Sequence, residues 1–133
     1  MAPETIVAIR SPADIVAARQ AGQELAAGAG FSSSDLTVIA TAISEMARNI
    51  LEYAKQGEIL LALVSNQAQQ GIQVIARDAG PGIGDIPQAM QDGFTTAKGL
   101  GIGLPGTRRL MDEFDIVSRP GQGTTILMRK WVR

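Results

Sequence analysis

The sequence GFTTAKGLGIGL, at residues 93–104, decides the fold of this chain together with DAGPG at residues 78–82. Glycine has no Cβ, so backbone N–H groups in such loops can approach an anion closely. The second loop runs into Leu104 and Pro105, and a proline in the first turn predicts a helix whose positive N-terminal end faces the loop. The sequence therefore predicts a phosphate site and indicates a nucleotide as the first ligand to consider.

Length, charge and composition exclude several classes of protein. The chain has 133 residues, 45% hydrophobic and 19% charged, which predicts one globular domain over residues 1–133. A net charge of −1 gives no basic excess for nucleic acid, and no apolar run reaches the roughly 18 residues of a membrane span. Cysteine and histidine are absent, which excludes disulfides, thiolate or histidine zinc sites and a Ser-His-Asp triad. Without a signal-peptide pattern, we expect a cytoplasmic protein with no nucleic-acid or membrane partner.

Hydrophobic periodicity predicts an α/β two-layer sandwich. Alternation of apolar and polar residues and short apolar runs predict strands over 5–10, 58–65, 72–78, 114–118 and 124–131. Helical spacing predicts helices from Pro12 to near Gly28, from Ser32 or Ser34 to about 54 and over 104–113, with a short helical piece at 86–92. This order predicts a mixed, mostly antiparallel sheet covered by helices on one face. The basic residues near the end, Arg129, Lys130 and Arg133, are interpreted as the solvated face of an edge strand.

Glu45 and Asn49 are candidates for chemistry on the second predicted helix. They lie four residues apart, so they share a face, roughly opposite the apolar stripe and near Arg48. One interpretation is an ordinary solvated helix face, which the helix alone favours. The other is chemical: a carboxylate can accept a proton from a hydroxyl or water, and an amide oxygen suits a hard Mg²⁺ ion.

Asp78 ends an apolar strand ahead of Gly80 and Gly82. An aspartate in this place is equally well a turn-forming residue or an acceptor for an exocyclic amine such as that of adenine.

The residues GIGLPG at 101–106 also match the dinucleotide pattern G-x-G-x-x-G. No buried strand precedes them and the next strand does not end in an acid, so we reject a dinucleotide site. The motifs of P-loop NTPases and ordinary protein kinases are absent as well.

Taken jointly, four segments in order across nearly the whole chain resemble the GHKL ATPase superfamily. They are residues 43–50, like the N box; 78–83, like the D-x-G-x-G box; 94–104, like the F and second glycine boxes; and 121–125, like the final G-x-G-T segment. The resemblance implies the Bergerat fold. Glu45 at the head of the N box, with no histidine in the chain, is most similar to the serine/threonine switch kinases of the bacterial stressosome, which regulate sigma factors.

The resemblance implies ATP and Mg²⁺ as cofactors and gives individual residues their roles. Glu45 would be catalytic and would orient or deprotonate the acceptor hydroxyl. Asn49 would hold Mg²⁺, and Asp78 would bind the adenine amino group with Thr124 nearby. The other nucleotide-binding residues implied are Gly80, Gly82, Ile83, Thr96, Lys98, Gly99, Leu100, Gly101, Ile102, Gly103 and Leu104. Related anti-sigma kinases carry an arginine just before the second glycine box, where this chain has Gly99, so Lys98 is the candidate for that charge.

The same resemblance implies an ATP-dependent serine/threonine-protein kinase that is also a partner-switching regulator. Its substrates would be STAS-domain scaffold or antagonist proteins, and the released kinase would activate a PP2C-type phosphatase or another downstream partner. One alternative is an anti-sigma factor kinase, which would sequester a sigma factor and act as a dimer. Another is an ATP-responsive binding module without catalysis. Glu45 disfavours the last, because binding alone needs Asp78 and Asn49 but no base.

Overall fold

The computed structural model of the chain describes residues 4–80 and 103–133. The strands are β1 (Thr5–Ile9), β2 (Gly57–Ser65), β3 (Gln70–Asp78), β4 (Glu113–Arg119) and β5 (Gly123–Trp131). They form one sheet in the order β1-β2-β3-β5-β4, and each neighbouring pair is antiparallel. The predicted sandwich with a mostly antiparallel sheet is therefore confirmed.

Three α-helices are described: α1 (Pro12–Ala29), α2 (Ser33–Asn49) and α3 (Gly103–Leu110). The predicted helical piece at 86–92 lies outside the described residues. The start of α1 is the predicted one, because Ser11 and Asp14 form a capping box around Pro12, the first residue of the helix. Ser32 caps α2, its hydroxyl oxygen accepting from the Asp35 N–H at 3.2 Å. Both helices thus begin where the sequence predicts.

The hydrophobic core lies between the helices and one face of the sheet. Strand alternation sends every second residue to this face, and the register aligns three fully buried side chains across β2, β3 and β5: Leu61, Val74 and Met128. Helix α2 contributes Ile43 and Met46 to the same core. On the opposite face, Ile6 and Val117 are 57% and 55% exposed. The helices therefore cover one side of the sheet, as predicted.

Two expectations for the C-terminal third were wrong. Helix α3 ends at Leu110 rather than near 113, because the Asp112 N–H donates to the Arg129 carbonyl of β5 at 3.0 Å and turns the chain into the sheet. Strand β5 is not an edge strand, since β3 and β4 flank it. Its Lys130 is only 7% exposed, and the Nζ donates to the Leu110 carbonyl at 2.9 Å. This lysine satisfies a carbonyl at the end of α3.

Candidate functional site

Glu45 lies in the last turns of α2 and is 6% exposed. The interpretation of this residue as part of a solvated helix face is therefore wrong. Helix α3 packs against α2 and covers the carboxylate, a contact that the pattern of α2 by itself could not reveal. Asn49, one helical turn further on, is half-buried at the end of α2. The two candidate residues lie one turn apart on α2, and Glu45 contacts the start of α3.

Both carboxylate oxygens of Glu45 accept hydrogen bonds from donors on different helices. The Arg48 Nη1 of the same helix donates to Oε1 and forms an ion pair with it. The Gly103 N–H, at the start of α3, donates to Oε2 at 3.3 Å. Since Gly103 closes the second glycine-rich sequence, this bond joins that sequence to the N-box helix. A carboxylate held in this way is oriented and charge-compensated.

The segment after Asn49 changes its helical form. Residues Ile50–Ala54 form a π-helix, a geometry often found at functional sites. It brings Ala54 against Gly80, where an added Cβ would lie 2.5 Å from the Ala54 Cβ. Only glycine allows this approach, so Gly80 fixes the first glycine-rich sequence against the end of the N-box helix.

Asp78 ends β3 beside two hydroxyl side chains. Its Oδ1 accepts the Gly80 N–H at 2.8 Å, so the residue does form the predicted turn. The sheet register places Thr124 opposite Asp78 and Ser118 opposite Thr124. The Ser118 and Thr124 hydroxyl oxygens are 2.7 Å apart and hydrogen-bonded. Three neighbouring strands therefore deliver a carboxylate and two hydroxyls to one end of the sheet.

Gly123 allows this close packing of strand ends. Its φ is +93°, a left-handed conformation that side chains rarely adopt. A Cβ built on it would also lie 2.1 Å from the Asp78 carbonyl oxygen. The glycine of the final G-x-G-T segment thus has a physical role: it lets β5 pass close to the backbone that carries Asp78.

The structure places the described candidates in two groups, which are linked by the end of α2 and the π-helix that follows it. One group holds Glu45 with Gly103, and the other holds Asp78 with Gly80 and Thr124. Leu104 is 3% exposed and belongs to the hydrophobic core. The remaining candidates lie outside the described residues; these are Gly82, Ile83, Thr96, Lys98, Gly99, Leu100, Gly101 and Ile102.

Sequence reasoning left two contributors to these groups without a role. Arg48 carries a signal in the sequence, because its position three residues after Glu45 is a pairing distance on a helix. Ser118 carries no comparable signal, because it meets Thr124 only once β4 and β5 have paired. Within residues 4–80 and 103–133, no helix is long and apolar enough to cross a membrane.

The motif order and this geometry agree with the comparisons to known proteins. The family described as histidine kinase-like ATPase domain matches residues 10–130. The chain belongs to this family. Serine/threonine-protein kinase RsbT of Bacillus subtilis is 50% identical over 133 residues, which is 100% of both chains. This full-length relative confirms the predicted enzyme class, a serine/threonine-protein kinase, and the predicted resemblance within the GHKL superfamily.

More distant relatives and a solved structure are also similar to this chain. Anti-sigma F factors of Caldanaerobacter subterraneus and Halalkalibacterium halodurans are 31% and 33% identical, over 74% and 72% of this chain and 71% and 69% of theirs. A crystal structure of the RsbU and RsbW domains of Rv1364c from Mycobacterium tuberculosis has a TM-score of 0.69 at 21% identity. It covers 98% of this chain and 33% of that chain, and it supports the fold.

Proposed function

We propose that this chain, as a single domain in the cytoplasm, transfers the γ-phosphoryl group of ATP to a serine or threonine of a STAS-domain scaffold or antagonist protein. The observation that carries the proposal is the buried Glu45 carboxylate, which lies one helical turn before Asn49. Arg48 and the Gly103 N–H hold this carboxylate by hydrogen bonds. A buried carboxylate is costly unless it is paired, and a binding module has no need of it. The 50% identity to RsbT supports the same reaction.

In the proposed step, the acceptor hydroxyl oxygen attacks the γ-phosphorus and Glu45 takes the hydroxyl proton. The new P–O bond forms as the bond from the γ-phosphorus to the ADP oxygen breaks, so ADP leaves with that electron pair. Each carboxylate oxygen keeps a further lone pair beside the hydrogen bond it already accepts. Arg48 and Gly103 therefore orient Glu45 without blocking its access to the hydroxyl.

Asp78 and Thr124 are the proposed adenine contacts. Asp78 uses Oδ1 for the turn to Gly80, so Oδ2 is the oxygen we assign to the adenine amino group. Thr124 lies opposite in the register, with its hydroxyl hydrogen-bonded to Ser118. Gly99, Gly101 and Gly103 are proposed to wrap the β- and γ-phosphates. The other residues proposed to bind the nucleotide are Gly80, Gly82, Ile83, Thr96, Lys98, Leu100, Ile102 and Leu104.

Asn49 is the proposed protein ligand for Mg²⁺. Among the described residues, no group of three or more acidic, histidine or cysteine side chains could hold a metal by itself. A single half-buried amide oxygen fits the usual mode of Mg²⁺, which keeps several waters and binds substrate phosphates with few protein ligands. When bound, the ion would neutralise charge on the phosphates.

The partners are proposed from the family. RsbT is a serine/threonine-protein kinase by name and the anti-sigma F factors are regulators by name, which together support partner switching. In the proposed switch, phosphorylation of the STAS-domain protein frees the kinase to activate a PP2C-type phosphatase. The anti-sigma F relatives also favour a second candidate, an anti-sigma factor kinase that binds a sigma factor directly as a dimer. Light scattering separates the two, since a monomer at micromolar concentration counts against the second.

The test is a label-transfer assay with Mg²⁺, γ-labelled ATP and a purified STAS-domain scaffold. We expect label on a scaffold serine or threonine, lost in Glu45→Gln and Asp78→Asn. Glu113→Gln is the matched control, because Glu113 also pairs with an arginine but lies at the start of β4. Binding of ATP without transfer would favour the binding module. No binding of ATP would contradict the proposal as a whole.

A further inference from the structure

The Glu45–Arg48 pair differs from an ordinary pair on a helix surface. Surface pairs contribute little, because water already solvates both charges. Here the Glu45 side chain is 8% exposed while the Arg48 side chain is 44% exposed, so the arginine reaches in from the surface to a buried carboxylate. Removal of Arg48 would leave that carboxylate buried with its charge uncompensated.

The geometry also fixes how the carboxylate is turned. Arg48 holds Oε1 from one side, and the Gly103 N–H holds Oε2 from α3, 58 residues away in sequence. Two donors on separate elements restrict rotation of the carboxylate plane. With Arg48 removed, only the 3.3 Å bond from Gly103 would remain of these two, and Glu45 would gain freedom to reorient toward water.

We propose that Arg48 is a positioning residue for phosphoryl transfer, which holds the Glu45 carboxylate in its orientation while touching neither nucleotide nor acceptor. This inference rests on the proposed role of Glu45 as the base. A merely structural pair predicts a different result, since its loss would lower the stability of the fold and leave kcat per folded molecule unchanged. The value of kcat per folded molecule therefore separates a positioning role from a merely structural one.

The kinetic test compares three variants at saturating STAS-domain acceptor. We expect Arg48→Ala to lower kcat roughly 30- to 100-fold with the KM for ATP within about threefold, because a misaimed group slows chemistry more than binding. Arg48→Lys keeps the charge and should recover kcat to within about tenfold of the wild type. Arg129→Ala, which removes an arginine paired with Glu113 on the sheet, should stay within about twofold.

A second readout does not depend on activity. Amide hydrogen exchange at Gly103, measured by NMR on the full chain, reports the bond to Glu45 Oε2. We expect exchange at Gly103 to be about tenfold faster in Arg48→Ala, a larger change than at the β3 amides of the same variant, because an unpaired buried carboxylate also lowers the overall stability. In Arg129→Ala, exchange at Gly103 should be unchanged. Equal exchange in the wild type and Arg48→Ala, or a kcat within twofold, would overturn the positioning role. If the wild type transfers no phosphate, the proposed function fails. The exchange measurement then still shows whether Arg48 holds Glu45 against the Gly103 N–H.

Discussion

The two groups of the candidate site, the Glu45 end with Gly103 and the Asp78 end with Gly80 and Thr124, are built in different ways. At the Glu45 end, a helix side chain meets the backbone of α3 from 58 residues further on, and the interactions are charged. At the Asp78 end, neighbouring strands bring Asp78 and Thr124 together through backbone register, with Gly123 allowing the approach. Phosphoryl transfer should therefore be sensitive to a change of charge at the Glu45 end, and folding should be sensitive to added volume at the Asp78 end.

The largest effect should come from Glu45→Gln in the phosphoryl-transfer assay. Loss of a general base typically costs a factor of about 10²–10⁴, and glutamine keeps the shape and an acceptor oxygen for the Gly103 N–H. The thermal midpoint, measured alongside, should change by only a few degrees. A variant that keeps more than about half of the wild-type rate would remove Glu45 from the chemistry.

At the other end, Gly123→Ala should destabilise the fold by on the order of 3 kcal/mol, because a Cβ would meet the Asp78 carbonyl oxygen at 2.1 Å and φ is +93°. Urea unfolding measures the change.

Two glycines serve as controls for this variant. Gly121→Ala has φ +77° but nothing within 4 Å of its Cβ, so backbone strain alone should cost about 1 kcal/mol. Gly28→Ala, inside α1 with open space around it, should be neutral or stabilising by about 0.5–1 kcal/mol. Equal losses at Gly123 and Gly121 would mean that close packing of the strand ends is not the cause.

The sequence predicted the elements well and the site only in part. Local signals were sufficient for the start of α1, where Ser11, Pro12 and Asp14 act within one turn. They failed for Glu45, since a helical pattern cannot show that α3 will cover the charged face. They failed for β5 as well, because the position of a strand within a sheet depends on pairing between distant segments.

A smaller effect is expected from Ser118→Ala. The change removes the hydroxyl that is 2.7 Å from the Thr124 Oγ1 and that also donates to the Gly123 carbonyl at 3.2 Å. The hydrogen bond to Thr124 is worth about 1 kcal/mol. We expect nucleotide affinity to fall about threefold to sixfold, measured by calorimetry, with the transfer rate at saturating ATP unchanged. A fall in that rate at saturating ATP would show that the two ends do not act separately.

The smallest effect lies away from both ends, at the start of α1. The Arg10 N–H donates to Asp14 Oδ2 at 2.8 Å and, with Ser11, lowers the pKa of Asp14 below its ordinary value of 3.8. A carboxyl with a lowered pKa stabilises the fold above its unfolded pKa and loses that contribution as the pH falls through the folded pKa. The thermal midpoint of the wild type should therefore exceed that of Asp14→Asn near pH 6, and the difference should shrink toward about pH 3. A constant difference would contradict the assignment.

The most direct test of the central claim is calorimetry of ATP binding to Asp78→Asn and Glu45→Gln side by side. Division of the site into a nucleotide end and a chemical end predicts that Asp78→Asn weakens binding roughly 10- to 100-fold, the range for loss of a hydrogen bond to a charged group. Glu45→Gln should bind within about threefold of the wild type, because the glutamine still accepts from Gly103. Equal weakening in both variants, or tight binding by Asp78→Asn, would contradict that division.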